Sequence, residues 1–401
     1  MKIGILEETR EPQDNRVPLT PSQCAILKEE NPDIEVFVQS SKHRCYTDDE
    51  YRYHGIELKE DLVDCDILLG VKEIQPHLLI PEKTYFIFSH TIKKQPANRA
   101  LLRAVLEKKI RLIDWETLTD DKNKRLIAFG RWAGIVGAYH AIRMIGLKSG
   151  AFHLKQMSEC HNFADAQQEF AKIKLPKLKI VLTGTGRVSR GAAFLLDLLG
   201  IKKVSAYNFC YNEFDEAVYT QLGSGDMYYR EGVDKFNPDD YHAHPEAYKS
   251  NFYPFTKTAD VMINGIYWDH RIPVFFTTEQ LKEPDFRIGI ISDISCDIAP
   301  LSSVPTTLKP SDIRHPYYGY NRLTGEITEA FSSNSIDVMA IDNLPNELPR
   351  DASEDFGNIF MSRILPELKK PGSKILFKAT IAADGKLNDP YLYLSDYATE
   401  K

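Results

Sequence analysis

The segment KLKIVLTGTGRVSRGAAFLLDLLG, residues 177–200, joins an apolar run to a glycine-rich turn and then to a helical pattern. The order predicts a β-strand, a tight turn at Gly184 and Gly186, and a helix through Ala193 to Leu199. Backbone N–H groups and the positive end of a helix placed in this way can hold a pyrophosphate. Ser189 stands where GxGxxG has its third glycine, so an ordinary strand-to-helix turn remains an alternative to a nucleotide-binding turn.

The residues before this segment alternate between short apolar runs and helical patterns. Capping boxes at Thr20 and Thr47 predict two helix starts. Continuous apolar strands separated by helices are typical of a mostly parallel α/β sheet. The predicted strands are Lys2–Leu6, Ile34–Val38, Ile67–Val71, Tyr85–Ser89 and Ile110–Asp114.

The region from residue 132 onward predicts a second α/β unit. A helix over Trp132–Leu147 carries small residues that permit close packing, and we interpret it as the connection between domains. Residues 212–257 are rich in Tyr, Asp, His and Pro, which predicts an irregular insertion. Phe356 to Leu368 have the spacing of an amphipathic helix. Further strands are predicted near Val204–Tyr207, Val261–Asn264 and Ile288–Asp293.

Composition excludes several classes of protein. The 401 residues include 50 basic and 57 acidic side chains, a net charge of -7 that gives no footprint for nucleic acid or an anionic membrane. The six cysteines lack CxxC spacing, so we expect reduced thiols and no metal site. His242 and His244 are interpreted as part of a polar loop. With no signal-peptide pattern and no apolar run long enough to span a bilayer, a cytoplasmic protein is expected.

Four charged residues near the ends of predicted strands form a candidate site. Parallel sheets bind ligands beyond the carboxyl ends of their strands. Lys72 and His90 follow two such strands, and burial there lowers a lysine pKa towards working pH. Arg16 and Arg125 could each bind a carboxylate through two hydrogen bonds. The set suits an anionic amino acid or keto acid facing a nicotinamide, although a solvated Lys72 paired with Glu73 and a core His90 remain alternatives.

The nucleotide preference is predicted from the residues after the glycine turn. Rossmann sites that take NAD place an acid about 20 residues on, where it binds the ribose 2′-OH. The strand predicted at Val204–Tyr207 is followed by no acid before Glu213. The cofactor is therefore expected to be NADP or NAD, with NADP favoured and Arg187 and Arg190 as candidate partners of the 2′-phosphate.

Several longer strings resemble a known group of enzymes. They are KIGILEETREPQDNRVPLTP (2–21), FIFSHTIKKQ (86–95), VLTGTGRVSRGA (181–192), INGIYW (263–268) and IDNLPNELPRDAS (341–353). They resemble the alanine dehydrogenase/transhydrogenase-like superfamily and, within it, the branch of lysine-forming saccharopine dehydrogenase and lysine-ketoglutarate reductase. The resemblance implies an α/β fold with two Rossmann-like parallel-sheet domains and an active-site cleft between them. Residues 1–130 with about 335–401 would form the substrate domain, and 131–334 the NAD(P)-binding domain.

The resemblance also assigns roles to individual residues. Lys72 and His90 would be the acid–base pair. The carboxylate-binding arginines would be Arg16 and Arg125. Val188 replaces a cysteine of fungal saccharopine dehydrogenases, so nothing built on that cysteine carries over. The remaining substrate contacts would be Glu73, Gln95, Glu116 and Phe129, and the cofactor contacts Gly184, Gly186, Arg187, Val188, Asn264 and Asp293.

The activity implied is the NAD(P)-dependent interconversion of lysine plus 2-oxoglutarate with saccharopine. These small molecules would be the partners, without nucleic acid or membrane, and a homo-oligomer is left open. An alanine dehydrogenase-type enzyme and a non-catalytic sensor of lysine or cofactor are the alternatives. The chain is expected to stop after the reductase, without the glutamate-forming half of the bifunctional synthase.

Overall fold

The computed structural model describes residues 1–399 and contains two mostly parallel sheets of eight strands each. The strands in chain order are β1 Lys2–Ile5, β2 Glu35–Gln39, β3 Glu57–Lys59, β4 Ile67–Leu69, β5 Thr84–Ile87, β6 Arg111–Asp114, β7 Lys179–Thr183, β8 Lys202–Lys203, β9 Val218–Leu222, β10 Tyr228–Tyr229, β11 Lys249–Ser250, β12 Val261–Asn264, β13 Ile290–Asp293, β14 Tyr317–Asn321, β15 Ile327–Thr328, β16 Ser335–Met339, β17 Thr380–Ala383 and β18 Lys386–Leu387.

Helices separate most of these strands. The helices in chain order are α1 Pro21–Glu30, α2 Asp48–Tyr53, α3 Arg99–Glu107, α4 Gly130–Ser149, α5 Phe163–Gln167, α6 Arg187–Leu198, α7 Ala206–Tyr211, α8 Ser224–Met227, α9 Pro238–Ala243, α10 Tyr253–Thr256, α11 Pro349–Ile359, α12 Leu365–Leu368, α13 Lys374–Ala379 and α14 Ser395–Thr399. A π-helical turn over Phe360–Ile364 joins α11 to α12.

The first compact unit combines residues 1–129 with the chain from Pro349 onward. Its sheet has the order β18-β17-β6-β5-β4-β1-β2-β3, in which β1 to β6 are parallel and β17 is antiparallel. The five strands predicted for this region are confirmed. The edge strand β3 and the hairpin β17–β18 were not predicted from the sequence.

The two predicted helix starts in this unit are also confirmed. Thr20 and Thr47 both form complete capping boxes, with Gln23 and Glu50 as the reciprocal partners. Gln23 also donates to the carbonyl of Glu354 at 2.9 Å, which fixes α11 against α1. The amphipathic pattern from Phe356 therefore belongs to the first unit in the structure.

The second compact unit covers residues 130–348. Its sheet has the order β15-β14-β16-β13-β12-β7-β9-β8, parallel from β8 to β16. The sequence placed the return to the first domain near residue 335. In the structure β16, Ser335–Met339, pairs with β13 and β14, and the boundary between the two units lies at Leu348/Pro349.

Two local predictions in this unit are wrong. Val204–Tyr207 is not a strand: β8 ends at Lys203, and Ser205 caps the helix α7. The insertion predicted to be irregular instead contains β9, which pairs directly with β7. Its sequence, VYTQL, was hidden by the polar and aromatic residues around it.

Close packing of α4 on α6 depends on glycine. A Cβ on Gly134 would lie 1.8 Å from the carbonyl oxygen of Val188, and one on Gly191 would lie 2.1 Å from that of Arg131. The glycine displaced by two positions from the GxGxxG pattern thus serves the contact between helices. The predicted small-residue helix is confirmed as α4, within the second unit.

The described residues contain neither a membrane-spanning helix nor a cluster of metal ligands. Across residues 1–399 no helix has both the length and the apolar character needed to cross a bilayer. The same residues contain no group of three or more His, Cys, Asp or Glu side chains placed to hold a metal ion.

Candidate functional site

The sheet of the first compact unit, called sheet 1, brings Lys72, Glu73 and His90 together at its carboxyl edge. Lys72 and Glu73 follow β4, and His90 follows the neighbouring strand β5 with a left-handed φ of 51°. The Nδ1 atom of His90 lies 2.5 Å from Oε1 of Glu73. Parallel strand ends therefore place the predicted acid–base residues at one edge, as expected.

The surroundings of Lys72 favour its neutral amine. Burial, followed by the nearby Arg16 guanidinium, lowers the pKa of Lys72 to about 8, although Asp14 and Glu73 act in the opposite direction. An amine with this pKa is present in both protonation states near neutral pH, which suits proton transfer. The alternative of a fully solvated lysine does not agree with this burial.

Glu73 orients His90 and remains ionised. Burial alone would raise its pKa, but the hydrogen bond and charge of His90, together with Arg10, lower the pKa of Glu73 to about 2. The guanidinium of Arg10 lies 3.6 Å from Oε2 of Glu73. A carboxylate bound to one ring nitrogen fixes the imidazole and leaves Nε2 as the atom that can exchange a proton with a ligand.

The structure holds Arg16 between an acid and an aromatic ring. Its Nε donates to Oδ1 of Asp14 at 2.9 Å, and its Nη2 donates to Oδ2 at 2.5 Å. The guanidinium lies 4.1 Å from the ring centroid of Phe129, which stacks in turn on Phe356 at 4.5 Å. Both predicted substrate contacts, Arg16 and Phe129, therefore occupy one well-packed layer.

Arg125, Glu116 and Gln95 belong to the outer part of this edge. Arg125 pairs with the Glu116 carboxylate, and Lys93 lies 3.3 Å from the other oxygen of that group. Burial would raise the pKa of Glu116, but Arg125 and Lys93 lower it. Gln95 is exposed, and its Oε1 accepts a hydrogen bond from Asn98 at 3.3 Å.

Sequence reasoning missed two buried carboxylates at the same edge. Glu8 follows β1 and accepts the N–H groups of Val71 and Lys72. Asp114 ends β6 and accepts the N–H and hydroxyl groups of Ser89, directly before His90. Burial raises the pKa of both acids, in the case of Glu8 to about 8. Their position at strand ends was the available signal.

In the second unit the glycine loop has the geometry predicted for an anion cradle. Gly184 has a φ of +88°, and a Cβ there would lie 2.8 Å from the hydroxyl of Ser189. A Cβ on Gly186, the N-cap of α6, would meet nothing within 4 Å. The Ser189 hydroxyl donates to the carbonyls of Thr183 and Gly265. Ser189 thus ties the loop to β12 where a third glycine is usual.

The predicted cofactor residues of this unit differ in accessibility. Asn264 is fully buried and donates to Asp293 at 2.8 Å, while Thr307 donates to the other oxygen of Asp293 at 2.6 Å. Burial raises the pKa of Asp293. Arg187 and Val188 begin α6 on the side that faces Gly130 of α4. Asn264 and Asp293 therefore brace the strand ends from within.

A cavity of about 280 Å³ lies beyond the ends of β9, β7 and β12. One side of this cavity is lined by residues of the insertion, namely Tyr241, His242 and Pro245. The interpretation of this segment as a polar loop missed that contribution, because the fold brings it from a distance in sequence. The cavity is lined by Gly184, Thr185, Gly186, Ser224, Tyr241, His242, Pro245, Gly265, Ile266, Tyr267, Asp269 and Ile272.

The strand beside the glycine loop also carries an acid. The strand that pairs with β7 is β9, which ends at Leu222. A ribose-binding acid is therefore expected after Leu222 rather than after Tyr207. Asp226 follows, and its Oδ2 accepts the N–H of Gly223 at 2.8 Å. Among the described residues that line the cavity, none is Lys or Arg. An acid thus follows the strand that pairs with β7, whereas the sequence predicted none after the strand placed at Val204–Tyr207.

Comparison with known proteins supports this architecture. Residues 4–136 match the alanine dehydrogenase/PNT N-terminal domain. The chain is 30% identical to alpha-aminoadipic semialdehyde synthase of Arabidopsis thaliana, over 98% of this chain and 41% of that protein. It is 27% identical to the NAD(+), L-lysine-forming saccharopine dehydrogenase of Emericella nidulans, over 91% of each. The chain spans less than half the length of the synthases it matches.

Solved structures agree on the fold. The chain resembles an L-alanine dehydrogenase with a TM-score of 0.67 and 17% identity, over 99% of this chain and 100% of that one. This confirms the prediction of two Rossmann-like units with mostly parallel sheets. The chain is therefore similar over most of its length to saccharopine dehydrogenases and to part of the alpha-aminoadipic semialdehyde synthases, and residues 4–136 match the alanine dehydrogenase/PNT N-terminal domain.

Proposed function

We propose that the chain is a nicotinamide-dependent dehydrogenase that interconverts lysine plus 2-oxoglutarate with saccharopine. The observation that carries the proposal is the cluster of Lys72, Glu73 and His90 at one strand edge, in a chain homologous over nearly its whole length to proteins named for this chemistry. Its cofactor would be bound by the second unit.

Arginines of the first unit would receive the substrate carboxylates. Arg16 is fixed by Asp14 and Phe129, so a carboxylate would meet a guanidinium whose direction is already set. Arg125, supported by Glu116, would hold a second carboxylate. Binding to oriented groups lowers the entropic cost of bringing amine and keto group together.

Lys72 and His90 would move the protons. Lys72 in its neutral form accepts a proton from the substrate ε-ammonium, and the free amine then attacks the keto carbon of 2-oxoglutarate. His90, oriented by Glu73, donates a proton to the carbinolamine hydroxyl, which leaves as water and gives a protonated imine. A hydride added to the carbon of this protonated imine gives saccharopine. When bound, the reduced nicotinamide supplies that hydride.

The second unit fits a dinucleotide. Gly186 leaves its backbone open at the N-terminus of the twelve-residue helix α6, and the adjoining cavity would hold part of an adenosine. Asp226 would bind the ribose 2′-OH, and a 2′-phosphate would meet this carboxylate without a lining Lys or Arg. We therefore propose NAD, in place of the NADP favoured from sequence.

A panel of assays tests the function. Oxidation of NADH and NADPH is followed with lysine plus 2-oxoglutarate, with ornithine plus 2-oxoglutarate, and with pyruvate plus ammonia, and products are identified by mass spectrometry. We expect NADH oxidation with the mass of saccharopine. Turnover only with pyruvate and ammonia would make the chain an alanine dehydrogenase. Cofactor binding without oxidation in any mixture would indicate a sensor.

A further inference from the structure

Glu8 bonds to the chain at the point where Lys72 begins. Its Oε1 accepts the N–H of Val71 at 2.5 Å, and its Oε2 accepts the N–H of Lys72 at 2.9 Å. The side chain is buried, with a residue exposure of 8%. Two oxygens of one rigid carboxyl group thus hold two consecutive backbone donors.

These two donors lie just beyond the regular ladder. The pairing of β4 with β5 ends at Leu69, and the N–H of Gly70 still reaches the carbonyl of Phe86. Val71 and Lys72 then turn their N–H groups towards Glu8. Buried backbone donors need a partner, but burying an acid for this purpose is costly. Burial and the Asp14 carboxylate indeed raise the pKa of Glu8 to about 8.

Two bonds to successive N–H groups set the direction in which the Lys72 side chain leaves the backbone. That direction matters because the pKa of the Lys72 amine depends on its distance from four charged groups. Arg10 and Arg16 lower this pKa, and Asp14 and Glu73 raise it. Attraction and repulsion between unit charges change steeply over a few ångströms in a partly buried site. A turn of the 71–72 peptide would alter both the burial of the amine and this balance.

A buried carboxyl group that accepts two backbone N–H groups also occurs at the end of β6. Asp114 accepts the N–H of Ser89 at 2.9 Å and the N–H of Glu116 at 2.7 Å, and thereby fixes the residues before His90 and after β6. Buried carboxylates therefore hold the backbone on both sides of the candidate site. The geometry points to Glu8 as a positioning residue that aims the Lys72 amine by gripping the backbone N–H groups of residues 71 and 72. This inference rests on the proton-transfer role proposed for Lys72.

The test compares Glu8→Asp, Glu8→Gln and the wild-type chain. Aspartate keeps the carboxyl group but is too short to reach both N–H groups, whereas glutamine keeps the length and replaces one carboxyl oxygen by an NH2 group. Glu169→Gln is the matched control, since Glu169 is a buried acid of the second unit that accepts the N–H of Lys155 at 3.0 Å. Readouts are kcat, the Kd of NADH, and the pH dependence of acetylation of Lys72, followed by mass spectrometry.

We expect both Glu8 variants to lower kcat by about a hundredfold, the effect of an ångström-scale misplacement. The Kd of NADH stays within about twofold of wild type, and Lys72 acetylation shifts to higher pH as its amine loses burial. The control should match the wild type. The acetylation shift is the readout that a purely structural loss of stability would leave unchanged in folded protein.

The contradicting results are distinct from failure of the proposed function. Wild-type kcat and wild-type acetylation of Lys72 in Glu8→Asp would overturn the role of Glu8. Unchanged kcat in Lys72→Met would instead overturn the proposed function. If Glu8→Gln fails to fold, which loss of NADH binding would reveal, the more conservative Glu8→Asp gives the answer.

Discussion

The carboxyl edges of the two sheets carry different kinds of group. Sheet 1 ends in ionisable side chains whose pKa values are displaced, with Lys72 and Glu8 at about 8 and Glu73 at about 2. In the sheet of the second unit, called sheet 2, the loop after β7 contains Gly184 and Gly186, and buried polar side chains hold this loop in place. The proposed function accordingly assigns proton transfer to the first unit and cofactor binding to the second. Substitutions at the two edges should therefore change different kinetic constants.

The largest expected effect follows replacement of the amine of Lys72. Lys72→Met should lower kcat by about a hundred- to ten-thousand-fold, the usual contribution of a general acid or base. The Kd of NADH should remain that of the wild type, because the cofactor cradle belongs to the second unit. Steady-state kinetics and fluorescence titration measure the two constants. Lys42→Met, at an exposed lysine of the first unit, serves as the control.

The next effect concerns the nucleotide preference. Asp226→Asn should reduce the preference for NADH over NADPH, measured as a ratio of kcat/KM values, by about tenfold or more. The reason is that a hydrogen bond to a charged group contributes about 1.5 to 3 kcal/mol. Asp239→Asn, an exposed acid in the first turn of α9, should leave the ratio unchanged. A wild-type preference in Asp226→Asn would remove this acid from the cofactor site.

A third prediction tests whether the second unit requires the close contact between the backbones of α4 and α6. Gly134→Ala should destabilise the protein by about 1 to 3 kcal/mol, since overpacking forces α4 away from the carbonyl of Val188. Thermal and urea unfolding measure this loss. Gly289→Ala is the control, because a Cβ there would meet only Lys148, at 3.6 Å. Equal stabilities of the two variants would contradict the account of the helix contact.

The smallest effect is a pH dependence of stability. The pKa of Lys72 is lowered from 10.5 to about 8 in the folded chain, so the unfolded chain holds the proton more tightly. The stability contributed by Lys72 therefore rises with pH between these values and is lowest below about 8. Relative to wild type, Lys72→Met should be most stable near about pH 7 and lose this advantage towards about pH 10. Urea unfolding at several pH values checks the sign.

Sequence patterns predicted the positions of the candidate acid–base residues well, for a local reason. Apolar runs of strand length before Lys72 and His90 locate two strand ends, and parallel strands bring those ends to one edge. Glu8 also follows a strand end, but its bond to the N–H of Lys72 could not be predicted from local patterns, because the two residues are 64 positions apart. The roles of Lys72, His90 and the arginines stay predictions.

The errors in the second unit have a different cause. A five-residue strand, β9, lies inside a segment whose composition indicates a loop, and its pairing with β7 is long-range. Without β9, the ribose-binding acid was expected after the strand predicted at Val204–Tyr207, and the expectation of NADP rested on that placement. The cavity residues Tyr241 and His242 were missed for the same reason, since tertiary pairing brings them to the glycine loop.

Chemical rescue tests the central claim most directly, namely that the Lys72 amine accepts the proton of the ε-ammonium group of the substrate lysine. Lys72→Ala is assayed with lysine, 2-oxoglutarate and NADH in the presence of small primary amines, and saccharopine itself is quantified by mass spectrometry. The account predicts that saccharopine formation is restored in proportion to the concentration of free amine. Absence of rescue by any amine, in a variant that binds NADH with wild-type Kd, would contradict it.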